Sequence, residues 1–219
     1  MTPPLSIRLP VDKCRAEFYD IQQAADVRGI GDAHREVGVV AYVRIRNTGE
    51  EIRGEDQVRK FLNRNEVYYD HWDVDRRLPE ALKGKFDLSD AEKDEILQAL
   101  QEEIQDLSRK RGYVKWDVIS LSESTPNLDE LLKKFEQVHT HTEDEVRAIV
   151  SGSGIFIIKG KDGGYFDVVL GAGDVISVPE GNPHFFTLTD ERKVVAVRLF
   201  IDPAGWVAHP YEDPAFQQA

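Results

Sequence analysis

Short runs of β-branched and aromatic residues alternate with turn sequences from Val138 to near the end of the chain. The turns are rich in glycine and proline and fall at 151–152, 160–164, 171–173 and 179–183. Turn signals that recur every roughly 8 to 12 residues are typical of an antiparallel sandwich or barrel. The sequence therefore predicts a mainly β fold in this region.

Helices are expected in the part of the chain that precedes Val138. The clearest lies between Ser89 and Gly112, where Ser89 and Glu92 form a capping-box pattern and Gly112 suits a left-handed helix cap. Apolar residues recur on one face of this helix, at Ile96, Leu97, Leu100, Ile104 and Leu107. This stripe is expected to pack against the β domain.

Shorter elements are predicted on both sides of that helix. They are a strand over 39–46, a helix over 55–63, a strand around 66–72 and a helix over about 128–135. Residues 1–38 form an appendage to which the sequence assigns no role, with a helix expected over 12–28. A length of 219 residues fits one domain with appendages. We therefore expect a single domain over 39–219, with a barrel core at about 114–210.

Charge and composition exclude several classes of partner. Acidic residues outnumber basic ones by 40 to 28, and the resulting net charge of -12 would repel phosphate backbones and anionic lipids. Neither a nucleic acid nor a membrane is therefore expected as a partner. Cys14 is the only cysteine and no secretion signal or long apolar stretch is visible, so a cytoplasmic location is expected. The absence of a long exposed apolar run favours a monomer.

The segment 139–145, His-Thr-His-Thr-Glu-Asp-Glu, carries the strongest chemical signal. Residues two apart on a strand point to the same face, so His139 and His141 can face one ion, and Glu145 has the same parity. His184 follows the 179–183 turn at the start of another apolar strand that can return beside the first. Imidazole and carboxylate ligands suit iron, nickel, manganese or zinc.

The four candidate ligands favour a catalytic metal over a structural one. Three imidazoles and one carboxylate fill four positions of an octahedral ion and leave two for solvent, substrate or dioxygen. An isolated His-x-His on a strand is more often accidental. The glutamate in register and the proline-flanked His184 weigh against an accident here.

Two arginines and several aromatic residues are candidates for substrate contacts. Arg147 lies two residues beyond Glu145, so its guanidinium is expected in the same cavity, either paired with an internal carboxylate or holding an anionic substrate. Arg198 has the same two interpretations. An apolar pocket wall could come from Phe135, Phe156, Phe185, Phe186 and Trp206, although most aromatic residues in such runs are core.

Together these motifs resemble those of the acireductone dioxygenases, over about residues 40–210. The residues that carry the resemblance are the run from His139 to Arg147, Gly152 and Gly154, 173–179, 183–185, 198–200, 112–113, 116–121 and 203–206. Two features depart from the family pattern. Val138 stands where the family commonly has glutamate, which removes a possible hydrogen-bond acceptor near the metal, and the leading 38 residues are longer than usual.

The resemblance implies a fold, a reaction and a set of roles. The fold would be a cupin jelly-roll β-barrel with several flanking α-helices. The reaction would be the cleavage of 1,2-dihydroxy-3-keto-5-methylthiopentene by dioxygen in methionine salvage. The metal would be one Fe²⁺ or Ni²⁺ on His139, His141, Glu145 and His184. Arg147 would act in catalysis and substrate binding, and Phe135, Arg198 and Trp206 would line or border the pocket.

The resemblance leaves the product set and two rival functions open. Iron in the family gives formate and 4-methylthio-2-oxobutanoate, whereas nickel gives carbon monoxide, formate and 3-methylthiopropanoate, on the same ligands. A different cupin enzyme, such as another enol dioxygenase or a metal-dependent sugar isomerase, could use the same four residues. A cupin that binds a small molecule without turnover is the alternative from another class.

Overall fold

Antiparallel strands and a few helices make up the part of the protein that the computed structural model describes, residues 41–214 and 216. The strands are β1 (Tyr42–Ile45), β2 (Glu51–Arg53), β3 (Tyr68–His71), β4 (Lys115–Leu121), β5 (His139–Thr140), β6 (Glu145–Gly152), β7 (Gly154–Lys159), β8 (Tyr165–Leu170), β9 (Asp174–Val178), β10 (His184–Leu188), β11 (Val194–Phe200) and β12 (His209–Pro210). The helices are α1 (Glu55–Arg64), α2 (Val74–Arg77), α3 (Asp90–Ala99), α4 (Gln101–Arg111) and α5 (Leu128–Phe135), with a 3₁₀ turn at Glu80–Leu82.

The strands form two antiparallel sheets. The first has the order β12-β5-β10-β7-β8-β1-β2, and the second has the order β3-β9-β6-β11-β4. Strands that are distant in sequence lie side by side in both sheets, as in a double-sheet jelly roll. The predicted mainly β fold with flanking helices is therefore confirmed. Strands β1 to β3 extend the sheets with residues that precede the predicted core of about 114–210.

Strand alternation divides the apolar residues into an inner and an outer cluster. The inner cluster combines side chains of both sheets, such as Phe156 and Phe166 from the first and Ile149 and Ile176 from the second. The outer cluster packs the other face of the second sheet against α3 and α4, through Ile96, Leu100, Ile104 and Leu107. The amphipathic stripe predicted over this helical region therefore packs on the sheet as expected.

One helix boundary differs from the prediction. The helix expected between Ser89 and Gly112 is two helices, α3 and α4, which meet at Leu100 with φ -103° and ψ 15°. Leu100 is fully buried at this bend, and Ile96 and Ile104 on either side pack in the same cluster. The junction of the two helices is therefore buried in the apolar cluster that packs on the second sheet. The predicted ends are confirmed, because Ser89 and Glu92 form the capping box and Gly112 adopts the left-handed conformation.

The remaining short elements follow the predictions closely. The helices predicted over 55–63 and 128–135 correspond to α1 and α5, and the strand around 66–72 corresponds to β3. The strand predicted over 39–46 is β1, and residues 39 and 40 lie outside the described part. The appendage at 1–38 and its helix over 12–28 also lie outside it. Among the described residues, each helix is too short or too polar to cross a membrane.

Gly152 and Gly163 provide a matched test of packing at the sheet ends. Both have positive φ, 71° and 86°, which is unfavourable for any side chain by roughly 1–2 kcal/mol. A Cβ at Gly152 would overlap the backbone carbonyl of Lys193, whereas a Cβ at Gly163 would meet nothing within 4 Å. We expect Gly152→Ala to lower the free energy of unfolding clearly more than Gly163→Ala, as measured by urea denaturation. Equal losses would contradict this account.

Candidate metal centre

Three histidines and one glutamate converge between the two sheets. One ligand atom from each of His139, His141, Glu145 and His184 lies within 4.8 Å of the others. Ligand atoms about 2.1 Å from a common ion are separated by at most about 4.2 Å, so small inward movements would let all four bind one cation. The four residues that the sequence singled out are therefore brought together, and their chemistry fits a divalent metal.

The strand order explains how distant residues meet. His139 on β5 is the direct antiparallel partner of His184 on β10, within the first sheet. Strand β5 ends at Thr140, and a turn then carries the chain across to the second sheet, where Glu145 begins β6. The cluster therefore joins the two sheets. Strand parity singled out the same residues, but the structure brings them together through this crossing rather than along one continuous strand.

Each histidine is oriented by a backbone carbonyl. The Nδ1 atoms of His139, His141 and His184 donate to the carbonyls of Gln137, Val207 and Asn182, at 2.6, 2.8 and 2.7 Å. This arrangement leaves Nε2 of each ring as the metal-binding atom. The backbone therefore anchors His139, while Val138 packs among apolar residues outside the first sheet. The departure at Val138 leaves no histidine without an anchor.

Glu145 is the electrostatic centre of the cluster. Its Oε2 lies 2.8 Å from Nε2 of His141 and 3.0 Å from Nε2 of His184, and its Oε1 accepts a 3.0 Å hydrogen bond from Nε of Arg147. Burial alone would raise the pKa of Glu145, but the Arg147 charge and the two histidine hydrogen bonds hold that pKa well below its usual value. Glu145 is therefore an anion that can meet a cation.

The histidines respond differently to their surroundings. Burial lowers the pKa of His139, which favours the neutral ring that binds metals. Burial also acts to lower the pKa of His141, but its hydrogen bond and the charge of Glu145 outweigh burial and raise this pKa. A metal ion would take over the place of that proton beside Glu145.

One hydrogen-bond donor of Arg147 has no partner among the described residues. Its side chain is 6% exposed and is bound to Glu145, yet its Nη1 is buried and has no hydrogen-bond partner among the described residues. The guanidinium lies over the ring of Phe186, with the central carbon 4.2 Å from the ring centroid. A buried guanidinium N–H without a partner is costly unless a ligand completes it. Arg147 therefore pairs with an internal carboxylate, which is one of its two interpretations from the sequence, and its contact with an anionic substrate stays a prediction.

The other candidate substrate residues lie at different distances from the cluster. Trp206 stacks on His141 with ring centroids 6.0 Å apart, and its Nε1 donates to the carbonyl of Asp144. The central guanidinium carbon of Arg198 lies 5.6 Å from the Trp206 ring centroid. Phe135 is half-buried at the end of α5 and packs against the inner apolar cluster. Trp206 therefore borders the metal centre directly, and Arg198 borders Trp206.

Two carboxylates beside Glu145 support the site and were not identified from the sequence. Glu143 is buried and accepts hydrogen bonds from the backbone N–H groups of Ile201 and Asp202. Asp144 accepts hydrogen bonds from Arg111, Tyr113 and Ser177. A run of three consecutive acidic residues, 143–145, was the available signal, but the sequence did not indicate partners for the first two.

The fold and the cluster together define a metal-binding protein of the cupin class. Residues 43–208 match the model of the ARD/ARD' family. The chain is 66% identical over 175 residues to an acireductone dioxygenase of Geobacillus kaustophilus. The aligned region covers 80% of this chain and 97% of the relative. It is 55% identical over 156 residues to the acireductone dioxygenase of Bacillus subtilis, and this alignment covers 71% of this chain and 87% of the relative. The chain therefore belongs to the ARD/ARD' family.

A solved structure agrees with this placement. The acireductone dioxygenase of Bacillus anthracis, with a cadmium ion in its active centre, superimposes with a TM-score of 0.75 at 52% identity. The match covers 77% of this chain and 97% of that one. A single metal site is therefore a property shared with a close structural relative, and the residues present here fit a metal cofactor.

His184 and His209 allow a matched test of metal binding. His184 is a buried member of the cluster, whereas His209 on β12 is exposed. We expect His184→Ala to lower metal affinity by more than about tenfold, because even residues that only orient ligands are worth 10- to 100-fold. His209→Ala should retain the metal. Metal content after dialysis, with circular dichroism as a control for folding, tests this, and a fully loaded His184→Ala protein would contradict the assignment.

Proposed function

We propose that this chain is an acireductone dioxygenase of methionine salvage that cleaves 1,2-dihydroxy-3-keto-5-methylthiopentene with dioxygen. The observation that carries the proposal is the combination of a three-histidine, one-carboxylate cluster with the spare donor of Arg147 beside it. Family membership over residues 43–208 supports the same conclusion. The metal ligands would be His139, His141, Glu145 and His184, with two coordination positions left for ligands.

The metal in this proposal is one Fe²⁺ or Ni²⁺ per chain. When bound, it would supply Lewis acidity and a template that fixes which carbons of the substrate face dioxygen. Because an acireductone is an electron-rich enediol that can itself supply the electrons, both metals suit the reaction. Iron would yield formate and 4-methylthio-2-oxobutanoate, and nickel would yield carbon monoxide, formate and 3-methylthiopropanoate.

The side chains of this protein have separate tasks in the proposed reaction. The Nδ1 atoms of the three imidazoles donate to backbone carbonyls, so Nε2 of each ring would be the atom that binds the metal. Glu145 stays ionised beside Arg147, so it serves as a ligand rather than as a base. An acireductone ionises readily and needs no strong base. The Nη1 donor of Arg147 would then balance the charge of the enediolate in a dry pocket.

The proposed pocket wall uses aromatic residues to exclude water. Phe186 and Phe156 lie on one side of Arg147, with their ring centroids 4.2 and 5.8 Å from the guanidinium carbon. Trp206 lies on the side of His141. Together with Phe135 and Arg198 they would hold the substrate's apolar side chain and limit access of solvent, which strengthens the electrostatic contacts inside.

Separate loading with iron and nickel tests the function. We expect both forms to consume dioxygen with an acireductone, and we expect carbon monoxide from the nickel form only. Product identification by mass spectrometry and gas analysis distinguishes the two product sets. Activity on sugar phosphates without oxygen uptake would instead favour a cupin isomerase, and binding without accelerated substrate loss would favour a non-catalytic protein.

Replacement of Arg147 tests the role of the buried guanidinium. We expect Arg147→Met to lower kcat/KM by about 10- to 100-fold, because hydrogen bonds to charged groups contribute roughly 1.5–3 kcal/mol. Metal content must be measured in parallel, since Arg147 also contacts Glu145. Arg109→Met, at an exposed position of α4, is the control. Unchanged kinetics in a metal-loaded Arg147→Met protein would contradict this role.

A monomeric state and a cytoplasmic location stay predictions from the sequence. The monomeric state rests on the absence of a long exposed apolar run, and the location rests on the single cysteine and on the lack of a visible secretion signal. The expectation that neither nucleic acid nor membrane is a partner rests on the net charge of -12.

A further inference from the structure

Three charged residues lie side by side on the inner face of the second sheet. Arg147 on β6 is the direct partner of Arg198 on β11, and Arg198 is the direct partner of Asp117 on β4. Ile149 follows Arg147 by two residues on β6, and Ala196 precedes Arg198 by two residues on the antiparallel β11. Both belong to the inner cluster, so the side chains of Arg147 and Arg198 also face the space between the sheets. Two like charges directly opposite each other would repel and destabilise the sheet unless each is compensated.

Each arginine has its own carboxylate. Arg147 is bound to Glu145, and Arg198 forms a bidentate pair with Asp117, Nε to Oδ1 at 2.8 Å and Nη2 to Oδ2 at 2.6 Å. The bidentate geometry fixes the plane of the Arg198 guanidinium and uses two of its five donors. The charges of the four residues therefore sum to zero before a metal or substrate is bound.

The row runs from solvent towards the metal centre. The side chain of Asp117 is 39% exposed and that of Arg198 is 27% exposed, whereas the side chain of Arg147 is nearly buried. Arg198 also lies beside Trp206, which stacks on His141. An anion that approaches Arg147 along this row therefore passes the Asp117–Arg198 pair.

We propose that Asp117 is a specificity-determining residue, because it neutralises Arg198 and leaves Arg147 as the one guanidinium of the row with an uncompensated buried donor. The neutral Asp117–Arg198 pair adds no net attraction, so the site attracts an anion with a second charge, such as sulfate, less strongly than it would if Arg198 were unpaired. This inference rests on the proposed function, in which an anionic substrate binds at the metal centre.

The proposal is tested with anion binding to the metal-loaded full-length protein. Asp117→Asn removes one negative charge and frees the charge of Arg198. We expect chloride to bind about threefold more tightly and sulfate about tenfold more tightly, because the Coulomb energy scales with the charge of the anion. Binding is measured directly by calorimetry, so the result does not depend on turnover. Protein without acireductone activity would contradict the proposed function and leave this measurement intact.

Matched variants separate a local effect from a change in net charge. Glu191→Gln removes the same charge at an exposed position after β10 and should leave anion binding unchanged. Asp117→Glu keeps the charge and should bind sulfate as the unmodified protein does. In Asp117→Asn/Arg198→Gln the freed cation is absent, so sulfate affinity should return to the original value.

Two results would overturn the proposal. One is an Asp117→Asn protein whose sulfate affinity matches that of Glu191→Gln. The other is a double variant that keeps the increased affinity, since Arg198 would then not be its source. If Asp117→Asn does not fold, Arg198→Gln alone decides the question. That variant leaves the Asp117 charge uncompensated and should weaken sulfate binding about tenfold, and unchanged binding would contradict the proposal.

Discussion

The ionised carboxylate of Glu145 is the group around which the interior of this protein is organised. A buried carboxylate lowers the stability of the folded state unless it is paired with a cation and hydrogen-bonded. Here His141 and His184 contact one of its oxygens and Arg147 contacts the other. His184 belongs to the first sheet and Arg147 to the second. The same carboxylate therefore links the two sheets and brings the nitrogen ligands within reach of one cation.

The residues around Glu145 show how a short segment can serve several purposes. Glu143 accepts hydrogen bonds from backbone N–H groups just beyond β11, and Asp144 accepts hydrogen bonds from side chains of α4 and β9. Glu145 belongs to the cluster of candidate metal ligands. The crossing between the sheets occurs over these same residues. Because each carboxylate has partners in a different direction, the turn is held from several sides, and the ligand at its end has little freedom to move.

Local sequence signals predicted a large part of the fold and the metal ligands. The capping box at Ser89, the left-handed Gly112 and the helix over 128–135 depend on residues a few positions away in the sequence. They could therefore be predicted from the local sequence alone. The residues of the cluster were identifiable because a glutamate in register and a proline-flanked histidine accompany the His-x-His pair. The interruption at Leu100 was not predictable, because the sequence there, Ala99-Leu100-Gln101, has no glycine or proline to mark the end of a helix. Nor were the two partners of Glu143, which lie 58 and 59 residues further along the chain.

The anchors of the three histidines differ in how far they lie along the chain. His139 and His184 bind carbonyls two residues before them, whereas His141 depends on the carbonyl of Val207, 66 residues later. During synthesis on the ribosome, two of the three imidazoles thus emerge together with the groups that orient them. The third imidazole lacks its anchor until synthesis has reached Val207, 66 residues later. A nascent chain that stops short of Val207 lacks the carbonyl that orients His141, so all three imidazoles can be oriented together only after synthesis has passed this residue.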